Sequence, residues 1–176
     1  MNTLYQVLEP EREPGSESAF IFRDGATYTL RPNADLWLDA DEFSRLVHEA
    51  GATNADLLQK AVDLYRGDYL PDALYETWVA EEREHLVSLF LESADRLAAL
   101  LLNQGNAEGA IELAQRILSK DGCWERAYRH LMLAYHYLGD RGQVARVYRR
   151  CVQTLGKELD VSPSSETKEL YGKLTT

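Results

Sequence analysis

The sequence has little of several features that identify whole classes of protein. Its 176 residues include two cysteines, Cys123 and Cys151, so a disulfide framework is not expected. It contains no run of about 18 apolar residues, which is the length that a membrane-spanning helix needs. Its start has no basic segment followed by an apolar one, as a secretory signal would. These absences predict a cytoplasmic protein without membrane contact.

Signals of catalysis and of metal binding are also scarce. The sequence has neither a phosphate-binding glycine loop nor a nucleophile-elbow pattern. The alternative to a protein without metal is a zinc site with four candidate ligands, Cys123, His130, His136 and Cys151. Their spacing lacks the ligand pairs that are typical of zinc fingers. We therefore expect no enzyme activity, no catalytic residue, no cofactor and no bound metal. Cys151 is expected to fill the core as a small apolar residue.

Positive charge is in short supply and is unevenly spread. The chain has 19 Lys and Arg against 29 Asp and Glu, a net charge of −10, which disfavours binding of the chain itself to nucleic acid. Residues 35–95 contain 15 acidic and 4 basic residues. Residues 126–157 hold a single acid, Asp140, and these basic residues: Arg126, Arg129, Arg141, Arg146, Arg149, Arg150 and Lys157. The two regions either attract one another within the fold or leave a basic face for an acidic partner.

Four glycines recur at one interval of 17 residues, at Gly105, Gly122, Gly139 and Gly156. Glycine is the usual residue just past a helix end, and apolar residues at helical spacing lie between these four. The interval predicts successive helices of similar length. Two intervals give a period of 34 residues, the length of a tetratricopeptide repeat (TPR). We therefore predict an all-α, TPR-like superhelix of about seven helices.

Superposition of the two 34-residue units matches small or apolar residues with one another. Ala94 corresponds to Tyr128 and Leu97 to Leu131. After each matched glycine comes an Asx residue, Asn106 or Asp140 in the two units, that can cap the next helix. Before the repeats, a long helix is predicted over residues 75–103. Its expected buried residues are Trp78, Leu86, Leu89, Phe90, Leu97 and Leu101.

The N-terminal part differs from the rest. Residues 9–18 are charged and contain two prolines, which predicts a loop. Residues 20–22 and Thr27–Leu30 flank Asp24-Gly25, the strongest local signal for a β-hairpin. We predict two parts: a small hairpin remnant at residues 1–38 and a helical domain at residues 39–176. A short helix within residues 161–174 is expected to cap the open end of the stack.

The order of landmarks resembles a known family. LYRGDYLPD at residues 64–72 is followed by a tryptophan with a charged run at residues 78–84, by the two repeats, and by GKELDVSPSSET at residues 156–167. Residues 36–174 resemble the bacterial transcriptional activator domain of SARP-type antibiotic-pathway regulators. A proline that is frequent after the first repeat is replaced by KDGCWERA at residues 120–127, where Gly122 keeps the turn.

The resemblance implies both a function and a missing neighbour. In that family the domain follows a winged-helix DNA-binding domain, and LYQVLEP with residues 20–30 is similar to the close of its recognition helix and its wing. By this resemblance we expect the sequence to hold only the end of such a DNA-binding domain, as an excised fragment or as a natural variant. The implied work of the helical domain is non-catalytic: dimerisation, RNA polymerase contact or signal sensing. The alternative is a stand-alone TPR adaptor that binds a peptide or an acidic partner in its groove.

The first helix of each repeat is expected to line the concave groove. The candidate partner residues are Glu92, Asp95 and Asn103 in the first unit and Arg126, Arg129, Leu133, His136 and Tyr137 in the second. In one interpretation Glu92 and Asp95 pair with Arg126 and Arg129 inside the fold. In the other, Arg126, Arg129, His136 and Tyr137 receive a carboxylate or phosphate of a partner. Trp78 is expected in the core, whereas Trp124 either joins the repeats or anchors an interface.

Overall fold

The computed structural model describes residues 6–31, 37–73 and 76–176. The chain forms two compact units, Met1–Leu38 and Asp39–Thr176. The predicted N-terminal helix end falls partly on residues 1–5, which lie outside the described residues, as does Tyr75 at the predicted start of the long helix.

The first unit contains the predicted β-hairpin. Strands β1 (Ile21–Asp24) and β2 (Thr27–Leu30) pair antiparallel, with Ile21 opposite Leu30 and Asp24 opposite Thr27. Gly25 in the turn has a φ of 58°, a left-handed conformation that glycine adopts without steric cost. The hydroxyl of Ser18 accepts a hydrogen bond from the N–H of Ile21 at 2.9 Å, which fixes the entry into β1. The hairpin prediction is confirmed.

The second unit is helical, as predicted. Within the described residues it contains seven α-helices, which are α1 (Asp39–Ala50), α2 (Ala55–Leu64), α3 (Thr77–Asn103), α4 (Ala107–Lys120), α5 (Glu125–Tyr137), α6 (Arg141–Leu159) and α7 (Ser165–Thr175). Consecutive helices pack against one another, and α3 also contacts α1 and α5. No helix in the described parts of the chain is long and apolar enough to cross a membrane.

Helix α3 is the longest element of the domain. Its 27 residues span about 40 Å at 1.5 Å per residue. Leu86, Phe90 and Leu97 are buried along it, as predicted, whereas Leu89 and Leu101 are half-buried. The prediction for Trp78 is wrong, because its side chain is 68% exposed.

The reason for this error is register. Counting back seven residues, or two helical turns, from Leu86 leads to Val79, which is fully buried. Trp78 comes one residue before Val79 and therefore lies on a different side of α3, where its ring is exposed to solvent.

The LYRGDYLPD segment joins the first helices to the repeats. The ring of Tyr65 stacks on Phe90 with centroids 4.3 Å apart and meets Phe43 at 5.7 Å. Burial raises the pKa of Tyr65 to about 12. Arg116 of α4 donates hydrogen bonds of 3.0 Å to the carbonyls of Val62 and Tyr65, which are left open where α2 ends. Tyr65 is therefore part of the core, whereas most other residues of the segment are exposed.

The 34-residue period is confirmed in the turns that follow α3 and α5. Gly105 and Gly139 have φ values of 79° and 75°. The next N–H in each turn reaches back five residues, from Asn106 to the carbonyl of Leu101 at 2.8 Å and from Asp140 to that of Tyr135 at 2.9 Å. Each Asx side chain then caps the following helix by accepting an N–H at 2.9 Å. Both turns are Schellman motifs joined directly to an N-cap.

The other two glycines do not behave as the interval predicts. Gly122 lies in the turn between α4 and α5 but has no positive φ, and Gly156 lies inside α6. Helix α6 continues to Leu159 and ends at Asp160, whose φ is 55°. The N–H of Val161 then bonds the carbonyl of Leu155 at 3.3 Å. The prediction of a helix end at Gly156 is wrong because α6 extends a further turn.

Candidate protein-interaction surface

Helices α3 and α5 are the first helices of two successive pairs, α7 follows them as a single last helix, and α5 contacts both α3 and α7. In repeats of this kind these helices line the concave groove. The predicted groove residues lie on α3 and α5, so the environment of each decides which of them a partner can reach.

One buried carboxylate joins α3 to α5. Asp95 is 1% exposed, and its Oδ1 lies 3.0 Å from Nε2 of His130. The indole Nε1 of Trp124 donates to the same oxygen at 3.3 Å. Arg126 approaches the other oxygen at 2.5 Å while its own side chain stays 57% exposed. The carboxylate therefore has three partners on the neighbouring repeat.

These contacts change the acidity of Asp95. Burial acts to raise the pKa of its carboxyl group, since desolvation disfavours the charged form. The hydrogen bond from His130, the electrostatic interactions with His130 and Arg126, and the hydrogen bond from Trp124 act in the opposite direction and outweigh burial. The pKa of Asp95 is lowered, and the group is a carboxylate at neutral pH.

A second polar contact joins α5 to α7. Glu125 accepts hydrogen bonds from the N–H of Ser164 at 2.8 Å and from its hydroxyl at 2.6 Å. Arg129 donates to Oγ1 of Thr167 at 3.1 Å and pairs with Glu166 at 3.2 Å. Although burial acts to raise the pKa of Glu125, the hydrogen bonds from Ser164 and Thr167 lower it. The VSPSSET segment therefore fixes α7 against α5.

The interpretation in which the groove charges pair inside the fold agrees with the structure in part. Arg126 pairs with Asp95, but Arg129 pairs with Glu166 and, at 3.9 Å, with Glu125. Glu92 pairs with Arg96 on its own helix at 3.4 Å. The difference arises because α5 packs between two helices, so that Arg126 reaches Asp95 of α3 whereas Arg129 reaches Glu166 of α7.

The remaining candidate residues differ in exposure. Leu133 is half-buried against a small apolar cluster with Leu102 and Ala134. Asn103, His136 and Tyr137 are exposed, and the rings of His136 and Tyr137 are 6.4 Å apart. Of the predicted set, these three, Glu92 and the partly exposed Arg126 are the side chains that a partner can reach.

The structure shows the environments of Trp124 and Cys151, for each of which the sequence left two roles open. Trp124 is half-buried, packs on the core and bonds Asp95, so it joins the repeats. Cys151 is fully buried in the core, and burial raises the pKa of its thiol to about 12. Among the residues that the structure describes, no three His, Cys, Asp or Glu side chains come together as a metal site would require.

Comparison with known families decides the identity of the helical unit. The family model of the bacterial transcriptional activator domain matches residues 38–175. The chain belongs to this family. Members of this family are regulatory domains associated with transcriptional activators, so the activator domain here has a regulatory context.

The solved structures add a fold relationship. The C-terminal TPR-containing domain of a Plasmodium falciparum protein described as an FK506-binding protein superposes with a TM-score of 0.55 at 13% identity. The match covers 78% of this chain and 91% of that domain. At this identity it shows that the activator domain has a TPR-like fold and nothing about its ligand. Among curated proteins none matches the chain.

Proposed function

We propose that the activator domain is a non-catalytic protein-interaction module through which a transcriptional activator contacts RNA polymerase. The observation that carries this proposal is the fixed alignment of the three groove helices. Asp95 joins α3 to α5, and Glu125 with Arg129 joins α5 to α7. A surface that is ordered before a partner arrives loses less conformational entropy on binding.

The accessible groove residues suit contact with a protein. Tyr137 is 60% exposed beside His136, and the side chain of Arg126 is 57% exposed. Tyrosine and arginine are enriched among residues that dominate protein interfaces, because each combines an apolar surface with hydrogen-bonding groups. In this proposal the groove residues are Asn103, Arg126, His136 and Tyr137. Arg129 and Asp95 act indirectly by positioning α5.

The first unit is proposed to be the end of a winged-helix domain, with the β1–β2 hairpin as its wing. What supports this is the short paired hairpin ahead of an activator domain. DNA contact would then belong to a complete winged-helix domain. With a net charge of −10, the present chain is expected to bind duplex DNA weakly at physiological salt.

The experiment uses a fusion protein in which a complete winged-helix DNA-binding domain precedes this activator domain. The fusion is assembled on promoter DNA. RNA polymerase should co-purify with the assembled complex and be lost when residues 39–176 are deleted. His136→Ala/Tyr137→Ala in the groove should weaken the complex without unfolding the domain. The matched control is Glu112→Ala/Gln115→Ala, which changes two exposed residues of α4.

Two results would contradict the proposal. Retention of polymerase after the deletion would place the contact outside the domain. Equal weakening by the groove variant and the α4 control would show that the groove has no special role.

A further inference from the structure

Helix α6 presents a row of arginines to solvent. Arg141, Arg146, Arg149 and Arg150 are all exposed, and Val144, Val147, Cys151 and Leu155 fill the opposite, buried side of the helix. Arg146 donates to Gln143 at 3.1 Å and Arg149 to the carbonyl of Ala145 at 3.3 Å, both on α6 itself. Of the ion pairs found in the described part of the chain, none includes any of these four arginines.

This result bears on the two interpretations of the charge distribution. The acidic and basic regions meet at Asp95 and Arg126, but the arginines of α6 take no part in that attraction. Attraction within the fold therefore does not account for most of the basic region.

Helix stability does not account for the row either. Arg146 is three residues from Arg149 and four from Arg150, spacings at which like charges repel on a helix surface. Arg141 is the first residue of α6, at the helix end where a positive charge is disfavoured. The arginines thus oppose the stability of the helix that carries them.

Apolar side chains border the row. Val152 is 39% exposed and Leu159 is 56% exposed. The two are seven residues apart and so lie on the same side of α6, and Val152 is a surface neighbour of Arg149, three residues before it. Val161, just beyond the helix end, is also exposed. The outer face of α6 therefore combines a basic row with an apolar margin.

We propose that this outer face docks an acidic segment of a partner protein that also carries apolar side chains. Carboxylates of the segment pair with Arg146, Arg149 and Arg150, since the guanidinium group matches a carboxylate with two parallel hydrogen bonds. Apolar side chains of the segment cover Val152 and Leu159. This site lies on the second helix of its pair, apart from the groove residues of α3 and α5.

Two observations favour a protein segment over nucleic acid. The net charge of −10 repels duplex DNA, which carries one negative charge per about 1.7 Å, more strongly than a segment with a few carboxylates. The exposed valine and leucine gain nothing from a phosphate backbone, whereas an apolar side chain of a peptide removes both from water. The proposal shares with the proposed function only the premise that the domain binds proteins.

The test uses the full chain and a displayed library of random peptides, each long enough for about four helical turns. Enriched peptides should combine Asp or Glu with Leu, Ile or Phe. Their affinity, measured by fluorescence anisotropy, should fall at least about tenfold in Arg146→Glu/Arg150→Glu. Lys60→Glu/Arg66→Glu, an equal charge change at exposed sites elsewhere, should leave it within about twofold.

The apolar margin and the alternative partners need their own measurements. Val152→Ser/Leu159→Ser should weaken the binding of the peptides at least about threefold. Polyglutamate should bind the wild-type chain more weakly than the peptides do. The following results would overturn the proposal: no enriched acidic peptide, unchanged affinity in the arginine variant, or polyglutamate binding as tightly as the peptides. Duplex DNA bound more tightly than the peptides, or self-association lost in the arginine variant, would also overturn it by assigning another occupant.

These variants separate this inference from the proposed function. Loss of polymerase on changing His136 and Tyr137, with peptide binding intact, would support both sites independently. Loss of peptide binding only on changing the groove would overturn the α6 site and leave the groove proposal standing.

Discussion

Nε2 of His130 lies 3.0 Å from Oδ1 of Asp95, across the junction between the two repeats. The same carboxylate receives Trp124 and Arg126, so one acidic side chain serves three residues of the next repeat. Because Asp95 is 1% exposed, water cannot replace it as an acceptor. The junction depends on this side chain more than on any exposed pair along the groove.

Asp95→Ala should therefore destabilise the domain strongly. It leaves His130 and Trp124 without their acceptor and removes the partner of Arg126. We expect the free energy of unfolding to fall by about 3 kcal/mol, measured by urea denaturation followed by circular dichroism. Glu92→Ala is the control, since the exposed Glu92–Arg96 pair contributes about 0.5 kcal/mol or less. Equal losses in the two variants would contradict the role given to Asp95.

Acid should weaken the domain through the same carboxylates. The pKa values of Asp95 and Glu125 are lowered in the fold, so both carboxyls contribute stability above their unfolded pKa values, near about 4. That contribution is lost as the pH falls through the folded values. The free energy of unfolding should drop more steeply below about pH 4 in the wild type than in Asp95→Asn. Parallel pH profiles from urea titrations would show that Asp95 does not have a lowered pKa.

Replacing a glycine of the 17-residue interval by alanine should lower the stability of the domain at two positions and raise it at a third. Gly105→Ala and Gly139→Ala place a Cβ at a positive φ, and each should cost about 1 kcal/mol. Gly156→Ala is the matched control, because Gly156 is inside α6 and nothing lies within 4 Å of the added methyl group. That variant should gain about 0.5–1 kcal/mol from helix propensity. Thermal unfolding of the three variants measures the difference, and a loss at Gly156 would contradict the helix boundary.

The thiols should differ in reactivity. Cys151 is fully buried with a pKa raised to about 12, whereas Cys123 is half-buried near the turn before α5. Since the thiolate is the reactive form, a thiol reagent at about pH 8 should modify Cys123 first and Cys151 only on unfolding. Mass spectrometry of the native and the urea-unfolded chain counts the modified sites. Rapid labelling of Cys151 in the native chain would mean that the core opens readily.

The sequence was sufficient to predict elements that depend on local chemistry. Gly105 with Asn106, and Gly139 with Asp140, specify a turn and the cap that follows it, and the structure contains both. Gly156 was misjudged because a glycine at the right interval is also tolerated inside a helix. Asp160 supplies the left-handed residue instead, a position that asparagine or aspartate can occupy.

Residues whose environment depends on packing between helices were harder to predict. Trp78 was expected in the core for its size, but the register of α3 assigns the buried position to Val79. Arg129 was expected to face α3, but α7 supplies Glu166 and Thr167 on its other side. Superposition of the repeats matches Asp95 with Arg129, so the observed pairing of Arg126 with Asp95 does not follow from the period alone. The contacts of α7 lie outside the repeat, so no periodicity could reveal them.

The two Schellman turns have a consequence for how such a domain can evolve. Their hydrogen bonds agree to within 0.1 Å, at 2.8 and 2.9 Å, and each ends in a side-chain cap of the same 2.9 Å length. A duplicated segment that begins and ends at equivalent points of these turns would contain the residues of a complete turn and its helix cap. The number of repeats could thus change during evolution by whole repeat units, while the hydrogen bonds of each turn stayed the same.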